Sequence, residues 1–202
     1  MSLNYRATLF TPEVLAAQKA AYGQAQATPP SSEPDALGPD EAAFIASRDS
    51  FYIASVNSDG WPYLQHRGGP AGFLHLLDVQ TLAFADLRGN RQLLTTGNLA
   101  KEDRVALFLM DYPQRQRLKL LGHATTHALA EDPELAARLA PAGLPVAHYE
   151  RFFRIRVVGF DWNCPKYITP RYTAAEVADV IAPLKQRIAE LEIQLRTQTP
   201  SS

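Results

Sequence analysis

Residues 50–67 read SFYIASVNSDGWPYLQHR, and this stretch decides the fold. Its first eight residues are rich in aromatic and β-branched side chains, which suit a pleated, half-buried surface. Ser58, Asp59 and Gly60 then supply turn chemistry, and an extended pattern resumes over 61–67. Two strand-like runs around an Asp-Gly turn predict a β-hairpin. Working outward, the same signals predict strands at 72–77, 81–85, 105–110, 118–128 and 152–159. Short helical patterns interrupt them at 90–100 and at 132–140, the latter with Pro133 in its first turn. Six or seven short strands with small inserted helices predict a mainly β, closed barrel, not a parallel βαβ sheet.

The flanks are of a different kind. Residues 11–22 (TPEVLAAQKAAY) predict a helix with Thr11 as cap and Pro12 in its first turn. Residues 27–39 carry four prolines and few large apolar groups, the composition of a linker or surface arm. A further helix is expected from Pro39, with Phe44 and Ile45 on its apolar face. At the other end, Val177, Val180, Ile181, Leu184, Ile188, Leu191 and Leu195 recur at threes and fours, predicting an amphipathic helix interrupted or kinked at Pro183.

Composition narrows the function classes. Twenty basic side chains against twenty-one acidic ones leave a formal charge of −1, a balance that gives no electrostatic reason to expect nucleic acid, whose binding depends on clustered Lys and Arg. No run approaches the ~20 apolar residues of a membrane span, and the first residues lack a secretory pattern. One cysteine, Cys164, leaves no internal disulfide and no multi-cysteine metal site. A reduced, cytoplasmic protein is expected.

Three clusters could carry chemistry. Arg67-Gly68-Gly69-Pro70 closes the second hairpin strand, and its glycines permit positive φ or close backbone approach to a ligand; a barrel corner is the other reading. Residues 86–92 (DLRGNRQ) follow a strand at a predicted helix start, where free N–H groups and Arg91 would make a phosphate site, with Arg67 closing the other side. In residues 115–121 (RQRLKLL), alternation sets Arg115, Arg117 and Lys119 on one face and Leu118 and Leu120 on the other. A basic face on a central strand requires solvent or an anionic partner. Cys164 is either a reactive thiol supported by Lys166 or a small packing residue. His123 and His127, four residues apart on a strand, lie about 13 Å from each other at ~3.3 Å per residue and cannot share a metal. His66 either approaches a ligand or is an exposed strand histidine.

The order SFYIASVNSDGWPYLQHRGGPAGF, LAFADLRGNRQ, EDRVALFLMD and QRLKLLGHA resembles the pyridoxamine 5'-phosphate oxidase-related FMN-binding proteins, over about residues 40–165. The resemblance implies a six-stranded antiparallel split β-barrel working as a homodimer around two FMN sites. With the flanking patterns read above, the chain is expected to divide into an N-terminal helix and arm at 1–39, an FMN-binding barrel at 40–170, and a C-terminal amphipathic helix at 171–202 that packs on the barrel or on a dimer partner. Position by position, it sets Arg67 and Arg91 at the FMN phosphate, with Asn90 capping or contacting the same group. Gly68 and Gly69 line the approach, and Thr95 and Thr96 either donate hydroxyls or pack. Arg117 and Lys119 fall where the family places polar side chains near the flavin ring, and Trp162 either covers that pocket or seals the barrel end. The arginine-rich C-terminal signature of pyridoxamine-phosphate oxidase itself has no counterpart in residues 160–168 (FDWNCPKYI), which argues against vitamin-B6 chemistry.

Three functions follow as expectations. The first is an FMN-dependent oxidoreductase using NAD(P)H or another donor on a small acceptor. The second is a non-enzymatic FMN storage or redox-sensing protein. The third is a split barrel for haem or a deazaflavin, haem needing an axial ligand from His66, His75, His123, His127 or His148.

Overall fold

The computed structural model describes residues 2–28, 30, 33–140, 148–162 and 165–198. One compact unit comprises residues 1–111 and 116–164, and a second comprises 112–115 and 165–202.

In the first unit the expected hairpin is present. β1 (Ser50–Val56) and β2 (Pro62–Gly68) pair antiparallel from Ser50↔Gly68 to Val56↔Pro62. Gly60 takes φ +85 in the turn, where the Asn57 carboxamide oxygen accepts the N–H groups of Asp59 and Trp61. β3 (His75–Asp78), β4 (Thr81–Leu87), β5 (Arg104–Asp111), β6 (Gln116–Ala128) and β7 (Tyr149–Trp162) complete one antiparallel sheet in the order β2-β1-β5-β6-β7-β4-β3. The strands number seven where the resemblance implied six.

Alternation builds the core. β1, β5 and the first nine residues of β6 bury every second residue, and the aligned set Phe51, Ile53, Leu107, Leu109, Leu118 and Leu120 forms the core's floor. β4 departs from alternation: residues 82–86 are all buried, because both faces of the strand are covered. On one face Phe84 stacks on Phe153 at 4.8 Å and meets Phe51 edge-on at 5.2 Å. On the other, Ala83 and Ala85 join Phe152 and Tyr149 under Leu135 and Leu139 of helix α5 (Pro133–Leu139). Phe51 and Phe84 lie on strands far apart in the sheet order, so the sheet curls until its two ends face each other. That is a split barrel.

Helices occupy its margins: α1 (Leu3–Leu9), α2 (Pro12–Tyr22), α3 (Pro39–Ala46) and α4 (Leu94–Leu99). α2 carries the expected Thr11 cap, and α3 buries Phe44 and Ile45 as expected. α1 answers to no sequence signal. The segment read as a surface arm also contributes to the core, since Leu37 is buried and its N–H bonds the Val79 carbonyl.

α1 solves an edge problem. β7 runs past β4, whose pairing ends at Arg156, and a bare strand edge is a template for unwanted pairing. Ser2 N–H donates to Phe160 O and Asp35 N–H to Val158 O, both at 3.0 Å, while Ser2 Oγ accepts Phe160 N–H. The Asp35 carboxylate then accepts the N–H groups of Asn4 and Tyr5 at the start of α1. This proximity requires Gly159: a Cβ there would fall 2.5 Å from Tyr5 N.

In the second unit, α6 (Ala174–Gln198) is one helix with Pro183 inside it. Among the described residues no helix is long and apolar enough to cross a membrane.

Two outcomes check this packing. Gly159→Ala should lower stability by about 1–3 kcal/mol through overpacking, read as a lower urea midpoint; an unchanged midpoint would show that α1 is not fixed against β7. His75 has a pKa held below its ordinary 6.5 by burial, with the Arg138 charge adding to the effect. A base with a depressed folded-state pKa favours folding above its unfolded value and loses that contribution as pH falls toward the folded one. The protein should therefore lose stability on acidification below about pH 6.5, and His75→Gln should flatten that part of the profile; an identical slope in both proteins would dismiss His75 as its source.

Candidate functional site

The gap between the two ends of the sheet is a cavity of about 370 Å³, lined by β2, β4, residues 88–93, the start of α4 and Glu150. Across it, the Arg67 guanidinium of β2 ion-pairs with Asp86 of β4 and lies 5.1 Å from the centroid of the Phe153 ring. Asp86 also faces Arg151 at 3.4 Å, its register neighbour on β7. Arg151 passes the network to Glu150 at 3.0 Å, and Glu150 meets Arg88 at 3.1 Å and Arg91 at 3.7 Å. Four guanidinium groups thus share two carboxylates, an excess of two positive charges. Burial alone would raise the Glu150 carboxyl, but hydrogen bonds from Arg151 and Arg88 and the charges of Arg88 and Arg91 hold it below its ordinary value. Arg67 Nε is buried with no hydrogen-bond partner among the described residues, an unmet donor beside the cavity.

The loop over the cavity is strained. Arg91 and Leu93 have φ of 59° and 56°, a left-handed conformation that costs non-glycine residues of order 1 kcal/mol or more each. Asn90 holds the turn, its carboxamide oxygen accepting Gln92 N–H at 3.2 Å. The predicted helix at 90–100 therefore begins only at Leu94, and Asn90 does not cap it. Thr95 is buried and donates to the Gln65 side chain at 2.7 Å, a second tie between the sheet's β2 end and the α4 segment.

The structure brings Arg67, Gly68, Asn90, Arg91, Thr95 and Thr96 to one cavity, together with His66. Gly69 is not in its lining, and neither Gly68 nor Gly69 uses the positive φ that glycine permits; Gly72 does. Gly69 is glycine for another reason, since a Cβ would lie 2.7 Å from Phe73 Cγ. Arg117, Lys119 and Trp162 also lie outside this lining. Arg117 sits 5.7 Å from the centroid of the Phe108 ring, Lys119 pairs with Asp161, and Arg115 is in the turn before β6, where it cannot share the strand's basic face. Trp162 donates to Glu41 at 2.6 Å and packs edge-on against Phe44, bordering a separate opening with Asp40 and Asp111. Sequence reading missed Arg151 and Glu150, whose role exists only through the β4–β7 register. His123 pairs with Asp103 and His127 with Glu131, and no metal-ligand cluster occurs among the described residues. Cys164 lies outside the described residues.

The family profile described as pyridoxamine 5'-phosphate oxidase matches residues 37–160, more than half of the chain. No curated protein matches the sequence. Among solved structures, HupZ of Group A Streptococcus superposes with TM-scores of 0.51 and 0.50 in two crystal structures, at 13% and 14% identity. Those matches cover 63% and 61% of this chain and 99% and 91% of that one. A protein from Clostridium acetobutylicum related to general stress protein 26 (pyridoxinephosphate oxidase family) matches at 12% identity and TM-score 0.47, over 61% of this chain and 85% of that one. An FMN-binding protein from Syntrophomonas wolfei matches at 8% identity and TM-score 0.45, over 60% and 81%. At these identities the HupZ match shows a shared fold.

The ion network has a direct test. Asp86→Ala strands Arg67 and Arg151 beside each other and should cost about 3–5 kcal/mol, as removal of one partner from a buried pair does. Inorganic phosphate should then restore more stability to the variant than it adds to the parent protein, read from denaturant midpoints. Equal gains in the two would mean that the cavity has no appetite for anions.

Proposed function

This chain belongs to the pyridoxamine 5'-phosphate oxidase family, and from that premise we propose that it binds FMN in the gap of the barrel and uses it as a cytoplasmic oxidoreductase. The observation that carries the proposal is the positively charged cavity itself: three arginines, Arg67, Arg88 and Arg91, a strained loop and an unmet Arg67 donor converge on a space of ligand size, with Arg151 behind them in the ion network. A phosphate monoester suits those groups. Arg91 and Arg88 supply charge from the loop, Arg67 a donor from below, and Thr96 a hydroxyl, with Asn90 setting the loop's shape. Arg67 is already oriented by Asp86, so little order is lost when an anion arrives. Gly68, the last residue of β2, lines the same space.

The other half of the reading is a second copy. On the outer face of the sheet, Leu64, Ala54, Ala106 and Leu121 align across β2, β1, β5 and β6, with Tyr52 and Phe108 in the next row. Leu64 is 63% exposed. An apolar row on the solvent side of a sheet calls for a cover, and a two-fold partner applying the same face supplies one. Arg117 and Lys119, on that outer face, would then serve the flavin bound by the neighbouring chain. FMN, when bound, supplies the electron and hydride chemistry. The chain's part is to hold the cofactor, exclude water from it and set cationic charge where negative charge grows on reduction. The donor is proposed to be NAD(P)H or a similar reductant, and the acceptor a small molecule.

FMN titration tests the reading. Arg91 is largely exposed, so Arg91→Ala should fold normally and weaken FMN binding by about 1.5–3 kcal/mol, roughly tenfold to hundredfold. Unchanged affinity would remove Arg91 from the site, and failure of the parent protein to take up FMN at all would end the proposal. Anaerobic NADPH separates the two flavin roles: bleaching of the bound flavin supports an oxidoreductase, whereas persistence of its colour with every reductant tried supports storage or sensing.

A further inference from the structure

We propose that α6 pairs with the same helix of a second copy as a parallel, two-stranded coiled coil. Val177, Ile181, Leu184, Ile188, Leu191 and Leu195 alternate steps of four and three, the spacing of a heptad seam. With Ile181 and Ile188 at the first seam position and Leu184 and Leu191 at the second, the residue types are those that favour two parallel strands. These side chains are exposed, Leu184 by 59% and Ile188 by 56%. A helix that packs on a barrel carries a broad apolar face, about 100° or more of its circumference. After Pro183 the positions flanking this seam are Lys185, Arg187, Glu192 and Gln194, all polar, so the stripe is too narrow for that use. Pro183 itself falls opposite the seam. Val180 and Ile193 lie off it.

Charge complements the seam. In a parallel pair Arg187 of one helix faces Glu192 of the other, once on each side of the axis. Within its own helix Arg187 bonds Glu190 at 3.0 Å, an exposed contact of small worth that leaves it available. So short a coiled coil is marginal between free chains. The pairing rests on the dimer proposed above, which makes it intramolecular and raises the effective concentration of the helices.

The test uses the full chain with Cys164→Ser, which removes the lone cysteine, and adds Leu184→Cys, Leu195→Cys or Gln186→Cys singly. Under mild oxidation Leu184→Cys and Leu195→Cys should each convert to a disulfide-linked dimer, whereas Gln186→Cys, on the opposite face, should not. An antiparallel pair cannot bring both positions onto themselves, so linkage at only one of them, or at neither, overturns the proposal. In the Leu184→Cys protein, Arg187→Glu should slow linkage several-fold and a further Glu192→Arg should restore it. Further slowing by the second change would match an antiparallel pair, where Lys185 faces Glu192, and also overturns the proposal. Sedimentation of the parent protein keeps the two dimer readings apart. A dimer whose cysteines do not link refutes the helix pairing and leaves the barrel face standing; a monomer refutes both.

Discussion

The ion pair between Arg67 and Asp86 crosses the gap where the curled sheet brings β2 and β4 together without a shared backbone ladder. Every other neighbouring pair of strands is joined by N–H···O=C bonds, each enforced by the requirement that buried backbone groups be satisfied. Across the gap the ties are made by side chains: Arg67 of β2 to Asp86 of β4 and Phe51 of β1 against Phe84 of β4, with Thr95 of α4 bonding Gln65 of β2 beside them. The cavity is therefore a property of the topology. A sheet that curls without closing leaves polar side chains facing each other, and the charges that hold the ends together are the same ones available to an anion.

Much of this was legible in the sequence, and the reason is local. The hairpin at 50–67, the alternation of β5 and β6 and the Thr11-Pro12 helix start are dictated by neighbours two to four residues away. Each appeared within a few residues of its expected position. Half of the candidate site was local too, because Asn90, Arg91, Thr95 and Thr96 lie within one loop and the helix that follows it.

What sequence reading lacked was non-local. Arg151 acts through its register with Asp86, 65 positions earlier in the chain (151 minus 86), and no spacing rule announces such a partner. α1 carries no amphipathic repeat; it is held by Asp35 and by the unpaired edge of β7. The helix expected from residue 90 started late because Arg91 and Leu93 adopt left-handed backbone, a choice forced by tertiary context on residues that would not make it alone. Trp162 was expected either to cover a ligand pocket or to seal the barrel end; its indole N–H donates to Glu41, a contact between residues 121 apart in sequence.

The side-chain closure of the barrel has a consequence for how this protein can change over generations. Widening or narrowing the gap breaks no strand pairing, so residues that grip a ligand there can be exchanged while the ladder and the aromatic core keep their geometry. Folding and recognition draw on largely separate sets of residues. A lineage built on this plan is free to drift in what it holds without first solving its folding again, and the few residues that serve both ends, Arg67 and Asp86 foremost, are where that freedom stops.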